Sequence, residues 1–153
     1  MVVEMLRGSL APLAETLEVG ATPGILPLRH VQHLVTPVRG RLRDQVGLLG
    51  LAERLHPTPA VGGEPRALAL EMIAEHEGIE RGWYAGPIGW LGADGDGELM
   101  VALRCGLVEG RDAALFAGCG IVADSDPSRE WEESRMKLRP VASALGREPE
   151  PRE

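Results

Sequence analysis

No run of lysines and arginines occurs anywhere in this chain, and its formal net charge is −7. Without clustered cations to displace counterions from phosphates, general nucleic-acid binding is excluded as a reading. Cysteine is nearly absent: Cys105 and Cys119 are isolated, with no CxxC and no histidine at ligand spacing. That argues against a zinc site or a disulfide framework and leaves two reduced core cysteines. No apolar run approaches the length of a bilayer span. The N-terminus also lacks a basic region followed by an apolar stretch and a cleavage site. A soluble, cytoplasmic protein with no membrane partner is the expectation. Aromatics are few, namely Trp83, Tyr84, Trp90, Phe116 and Trp131. The 153 residues suffice for one domain with a core.

The most informative stretch is AGCGIVADSDPSREWEESRMK at 117–137. It reads as a small-residue strand followed by a sharply capped helix, with Asp126 as N-cap and Pro127 in the first helical position. At about 100° per residue, Glu130, Glu133 and Lys137 fall within roughly 60° of one another. They border an apolar stripe of Trp131, Leu138, Val141 and Leu145, while Glu132, Arg135 and Arg139 lie on the far side. Two acids and a lysine at the edge of a buried face call for a partner. A divalent cation or an anionic ligand would serve; the plain alternative is an i,i+4 pair of Glu133 with Lys137 on a wet surface.

Upstream, Val2, Val3, Met5, Leu6 and Leu10 have helical spacing, but no capping residue precedes them. The chain reads as though it begins inside a larger domain. Pro12 to Pro27 reads as a helix end and a loop, and Leu28 to Leu42 as a β-rich run. In that run Val31, His33 and Val35 share a face, so His33 is a core histidine or a ligand contact; His30 and His76 read as surface residues. Gln45 to Leu55 is a short helix candidate, followed by the constrained loop HPTPAVGGEP at 56–65. Such a loop borders a site or simply connects elements. Pro65 opens a helix that runs to about His76.

The last third predicts three successive strands, Trp83 to Leu91, Leu99 to Val108 and Ala113 to Val122, with turns at 93–97 and 109–110. Met100, Ala102, Arg104, Gly106 and Val108 would then share one face. A lone arginine there needs an anion, from protein or substrate. Gly118 and Gly120 would leave a shallow groove on the third strand. Residues 147–153 read as a polar, disordered tail. Gly118, Gly120 and Ala123 formally match a dinucleotide fingerprint, but the helix starts too late and too little chain follows. Asp94 and Asp96 lack the spacing of a calcium loop and read as a hairpin turn.

Five segments together resemble the chorismate-utilising enzymes, which include isochorismate, salicylate and anthranilate synthases. They are VQHLVTPVRG at 31–40, LHPTPAVGGEPR at 55–66, RGWYAGPIGW at 81–90, VALR at 101–104 and GCGIVADSDPSREWEESRMKL at 118–138. The likeness to isochorismate synthases, which make precursors of catechol siderophores and menaquinone, is the nearest. It implies an α/β (α+β) fold, an anthranilate synthase-like antiparallel sheet arrangement flanked by helices. Residues 1–146 would form the C-terminal portion of that chorismate-binding domain, without its N-terminal half.

By this resemblance, Glu133 matches a Mg²⁺-coordinating glutamate and Glu130 the nearby acid that holds metal-bound water. Arg104 matches an arginine that binds a substrate carboxylate; Lys137, with backbone around Gly118, is directed at the other carboxylate. His33 matches a histidine at the site, and Tyr84 a position that shapes the pocket. A dicarboxylate such as chorismate suits an arginine, a lysine and a hard cation. Ala60 matches the isochorismate type, whereas salicylate and anthranilate synthases tend to carry threonine there. The family's general-base lysine and general-acid glutamate, and a further metal-binding glutamate, lie in the N-terminal half and have no counterpart here. The resemblance therefore implies a chain that is inactive alone: a fragment, a truncated reading frame or one piece of a split enzyme. A salicylate, anthranilate or aminodeoxychorismate synthase segment, or a non-catalytic remnant that binds a carboxylate metabolite, is the alternative.

Overall fold

The structure, a computed structural model, describes residues 1–27, 32–43 and 46–146. His30, Val31, Gln45 and the tail at 147–153, all read above, lie outside the described residues. Helices alternate with short antiparallel strand pairs, the α+β class expected. The chain divides into two units, one of Met1–Pro59 with Trp90–Glu98, the other of Ala60–Gly89 with the chain from Leu99 onward. Among the described residues no helix is long and apolar enough to cross a membrane.

In the first unit, α1 (Val2–Leu10) has Met1 at its N-cap, with no side-chain cap bond. It is followed by β1 (Ala14–Val19) and β2 (Gly24–Pro27), so the stretch Pro12 to Pro27 is largely strand rather than loop. β1 pairs with β4 (Val38–Leu42), and β2 with β3 (Gln32–Val35). Gly20 and Pro23 punctuate the chain between β1 and β2, and Gly24 opens β2. The partner of β1 lies 19 to 28 positions downstream, which a local reading does not see, whereas β3 lies only 5 to 11 positions from its partners in β2. The run at 28–42 is broken at Thr36–Pro37. Pro37 has no N–H to offer, and its carbonyl accepts from Gly20 N at 2.9 Å. Gly40 is required where β4 crosses β1, since a Cβ there would stand 2.5 Å from the Thr16 carbonyl oxygen. α2 (Leu48–Leu55) follows, inside the span expected.

In the 56–65 loop, α3 (Pro59–Gly62) is a single turn, and α4 (Arg66–His76) starts after Pro65 as expected. His76 is exposed, as read. Gly63, at φ 72°, allows the close approach of Ala69, whose Cβ would lie 2.4 Å from an added one. Residues 81–86 form two tight turns, closed by Tyr84 N to Arg81 O at 2.8 Å and Gly86 N to Trp83 O at 3.1 Å. The strand expected from Trp83 therefore begins only at β5 (Pro87–Leu91), which pairs with β6 (Gly97–Val101). Asp94 Oδ1 accepts from Asp96 N at 3.2 Å, the hairpin-turn role read for these acids.

The strand expected over Leu99 to Val108 is two strands. Leu103 N bonds Val101 O at 2.8 Å and Arg104 takes φ 51°, so the chain leaves β6 and restarts as β7 (Cys105–Glu109). A left-handed residue ends the alternation of side chains, so Met100 and Ala102 do not share a continuous face with Arg104, Gly106 and Val108. β7 pairs with β8 (Asp112–Phe116) around Gly110 at φ 62°. The third strand stops at Phe116, and Gly118 and Gly120 lie in irregular chain, not on a strand face. α5 (Pro127–Ala144) continues through Pro140 and packs on β8.

The core is thin. Among the described residues the buried apolar side chains are all alanines: Ala14, Ala85 and Ala142. Trp83 is 83% exposed, Leu34 78% and Ile121 71%. Trp131 and Leu145, placed on the α5 stripe, are also more exposed than buried-stripe residues should be, whereas Leu138 and Val141 are half-buried.

Candidate functional site

The approach to α5 is fixed by short polar bonds. Val122 N donates to Ser125 Oγ at 3.0 Å and Ser125 N to Val122 O at 3.0 Å, a closed turn. Asp126 Oδ1 then accepts from Arg129 N at 3.0 Å and Pro127 occupies the first turn, the start the residue types dictate. Glu130 follows in that first turn, where the helix dipole favours a carboxylate.

Glu130 Oε2 is shielded from solvent and accepts no hydrogen bond among the described residues. The Cys119 thiol, and next the Ser125 hydroxyl, hold this carboxyl below the usual carboxylate range; Lys137 acts the same way more weakly. Cys119 Sγ donates to the main-chain carbonyl of Glu130 at 3.4 Å. Burial, and then its nearness to Glu130, push the Cys119 thiol up to about 11, so it stays protonated at neutral pH.

One turn on, Lys137 Nζ lies 2.5 Å from Glu133 Oε1 and donates to the Gly118 carbonyl at 3.1 Å. The i,i+4 pair read as the plain alternative thus exists, but it is not all the lysine does. Its ammonium also ties α5 to the glycine loop.

Tyr84 meets the same loop. Its ring stacks on Phe116 at 5.6 Å between centroids and 24° between planes. A Cβ on Gly118 would stand 2.8 Å from the Tyr84 hydroxyl oxygen, so the absence of a side chain at 118 is what seats the phenol. Burial raises the Tyr84 pKa, opposed by the Arg81 guanidinium, so the hydroxyl is neutral at physiological pH.

Tyr84, Gly118, Lys137 and Glu133 are therefore linked in one patch, with Glu130 one turn away on the same helix. Arg104 belongs to the same unit, half-buried in the bend between β6 and β7, and its guanidinium has no hydrogen bond or ion pair among the described residues. Ala60 is exposed on α3 in that unit. His33, half-buried, sits on β3 opposite Leu26 in the first unit. No described contact ties Arg104, Ala60 or His33 to the patch. Among the described residues no group of three or more His, Cys, Asp or Glu could by itself enclose a metal ion. Two residues to which the sequence assigns no site role support the patch. Arg81 stands in the RGWY segment, four after Glu77 and three before Tyr84, and Phe116 ends β8 beneath the tyrosine.

Comparison with known proteins gives a consistent picture. The sequence model for the chorismate binding enzyme family matches residues 1–146. A salicylate biosynthesis isochorismate synthase of Pseudomonas aeruginosa is 51% identical over 145 residues, covering 95% of this chain and 30% of that protein. An isochorismate synthase of Bacillus subtilis is 47% identical over 148 residues, with 97% and 31% covered. A Bacillus anthracis crystal structure described as a 2,3-dihydroxybenzoate-specific isochorismate synthase superposes with a TM-score of 0.91 at 39% identity, covering 95% of this chain and 39% of that one. The chain thus spans about a third of the length of the relatives it matches.

Proposed function

Because the chain belongs to the chorismate-binding enzymes, we propose that it is the C-terminal part of a Mg²⁺-dependent isochorismate synthase, which exchanges the 4-hydroxyl of chorismate for a hydroxyl at C2. The linked patch of Glu133, Lys137, Gly118 and Tyr84 carries this reading, because it joins acid, cation and bare backbone on one surface. Lys137, with the backbone at Gly118, binds one substrate carboxylate. Arg104, without an anionic partner among the described residues, binds the other by paired N–H donors. Tyr84, neutral and packed, shapes the pocket wall with Ala60 as a further lining residue, and His33 is assigned to the substrate by the family resemblance alone.

The metal is tested by what the acids lack. The unpartnered, solvent-shielded Oε2 of Glu130 supports a hard cation nearby, and Glu133 stands one turn away as a second oxygen donor. These two residues would hold Mg²⁺, with further ligands from outside this chain. When bound, Mg²⁺ supplies neutralisation of the ring carboxylate and favours departure of the hydroxyl.

The chain contributes recognition; the acid and base that move protons are assigned to the N-terminal half of the domain, so the chain by itself is inactive. That half is its proposed protein partner, and chorismate and isochorismate its small-molecule ligands, with no nucleic acid or membrane involved. Ala60 favours an isochorismate product over salicylate or an aminated product. The test is to combine the chain with the remainder of a family domain and incubate it with chorismate and Mg²⁺. Isochorismate without pyruvate supports the proposal. Salicylate or anthranilate with pyruvate supports the second enzymatic reading, and binding without turnover supports a remnant.

A further inference from the structure

All three guanidinium nitrogens of Arg81 donate hydrogen bonds. Nε and Nη2 donate to Glu77 Oε2 and Oε1 at 2.6 and 2.7 Å, a forked pair. Nη1 donates to the Val61 carbonyl at 2.9 Å, next to Ala60. Its Cζ lies over the Tyr84 ring, 5.8 Å from the ring centroid. One side chain therefore fixes the end of α4, the short turn α3 and the aromatic ring that leans on Gly118. The backbone leaves Tyr84 little freedom of its own, since the turns at 81–86 are closed at both ends and Ala85 is held at φ 63°.

We propose that Arg81 is a positioning residue that holds Tyr84 and the Ala60 turn in register as two walls of one ligand site. The contacts stand by themselves; that the ligand is chorismate rests on the reading above. Simple helix anchoring would need only the Glu77 pair, and a lysine could provide that. The three-way use of a planar fork is what a lysine cannot reproduce. Arg81 acts through Tyr84 and Val61 and is not assigned contact with the substrate.

Tyr84 is the only tyrosine in the chain, so its titration is read directly from phenolate absorbance. The groups that bear on it are Arg81, Glu77, Cys105 and Cys119, and of these only Arg81 favours the phenolate. Arg81→Met keeps apolar cover while removing the cation, and the expected result is an upward shift of the tyrosine midpoint. An unchanged midpoint overturns the assignment. Unfolding gives the opposite sign, a fall to the midpoint of an exposed tyrosine. In that event Arg81→Lys, checked for fold by circular dichroism and completed with the rest of the domain, decides. The chorismate KM should rise about threefold to tenfold with kcat retained, the mark of a displaced binding wall. A KM equal to that of the wild type overturns the assignment. If the wild-type assembly turns over no chorismate, the proposed function falls, and the tyrosine titration, which needs no substrate, still judges Arg81.

Discussion

The ammonium of Lys137 donates to the main-chain carbonyl of Gly118 across 3.1 Å, so the helix that bears the acids is tied to the loop that precedes it. The same ammonium neutralises Glu133. The pair is partly exposed, with the lysine side chain 25% and the glutamate 49% accessible, so its worth to stability is at most about 1 kcal/mol. Lys137→Met should leave the thermal midpoint almost unchanged while abolishing chorismate binding in the completed domain. Calorimetric unfolding and equilibrium binding separate the two effects.

Gly118 and Tyr84 should be energetically coupled. Gly118→Ala forces its Cβ against the tyrosine hydroxyl and should cost about 1–2 kcal/mol. Tyr84→Phe removes the obstructing oxygen, and the double variant should recover most of the loss. A double-mutant cycle on thermal unfolding measures the coupling.

Cys119 should behave as a sluggish thiol. Its folded pKa of about 11 lies above the ordinary value of 9.0, so the stability it contributes is whole below pH 9 and lost as pH rises through 11. Cys119→Ala should lessen the alkaline decline in stability, with the raised pKa of Tyr84 accounting for part of what remains. In the wild type, alkylation followed by mass spectrometry near pH 8 should modify Cys119 more slowly than an unhindered thiol of ordinary pKa.

Glu130 titrates with the reverse sign. Its carboxyl is held below the usual range by Cys119 first, so its contribution is present above the unfolded-state pKa and lost as pH falls through the folded one. Removing the thiol should move the carboxyl upward, and carbon-13 NMR of the labelled glutamate checks it.

How much was legible depended on whether the cause was local. Asp126 and Pro127 announce α5 by chemistry confined to four residues, and Glu133 with Lys137 follows from helical spacing alone. β1 was hidden because its partner, β4, lies 19 to 28 positions downstream, and β2 because Gly24 and Pro27 at its two ends read as loop residues. The break at Arg104 was hidden because a left-handed arginine carries no signal comparable to a glycine. Within the patch, composition supplies the acids and the lysine, whereas the seat of Tyr84 on Gly118 and the grip of Arg81 exist only once the chain is folded.

The thin core has its own consequence. With Trp83, Leu34 and Ile121 largely exposed and the described strands joined only in pairs, the chain alone should bind a hydrophobic dye and self-associate. Addition of the N-terminal half of the domain should suppress both, as followed by dye fluorescence and sedimentation.

The most direct measurement compares Glu133→Gln with the wild type in the completed domain, following isochorismate formed from chorismate as Mg²⁺ is titrated. The wild type should form isochorismate without pyruvate in proportion to metal occupancy, and the variant should remain folded and form none. Undiminished Mg²⁺-dependent turnover by Glu133→Gln would contradict the assignment of the α5 acids as the metal side of the site.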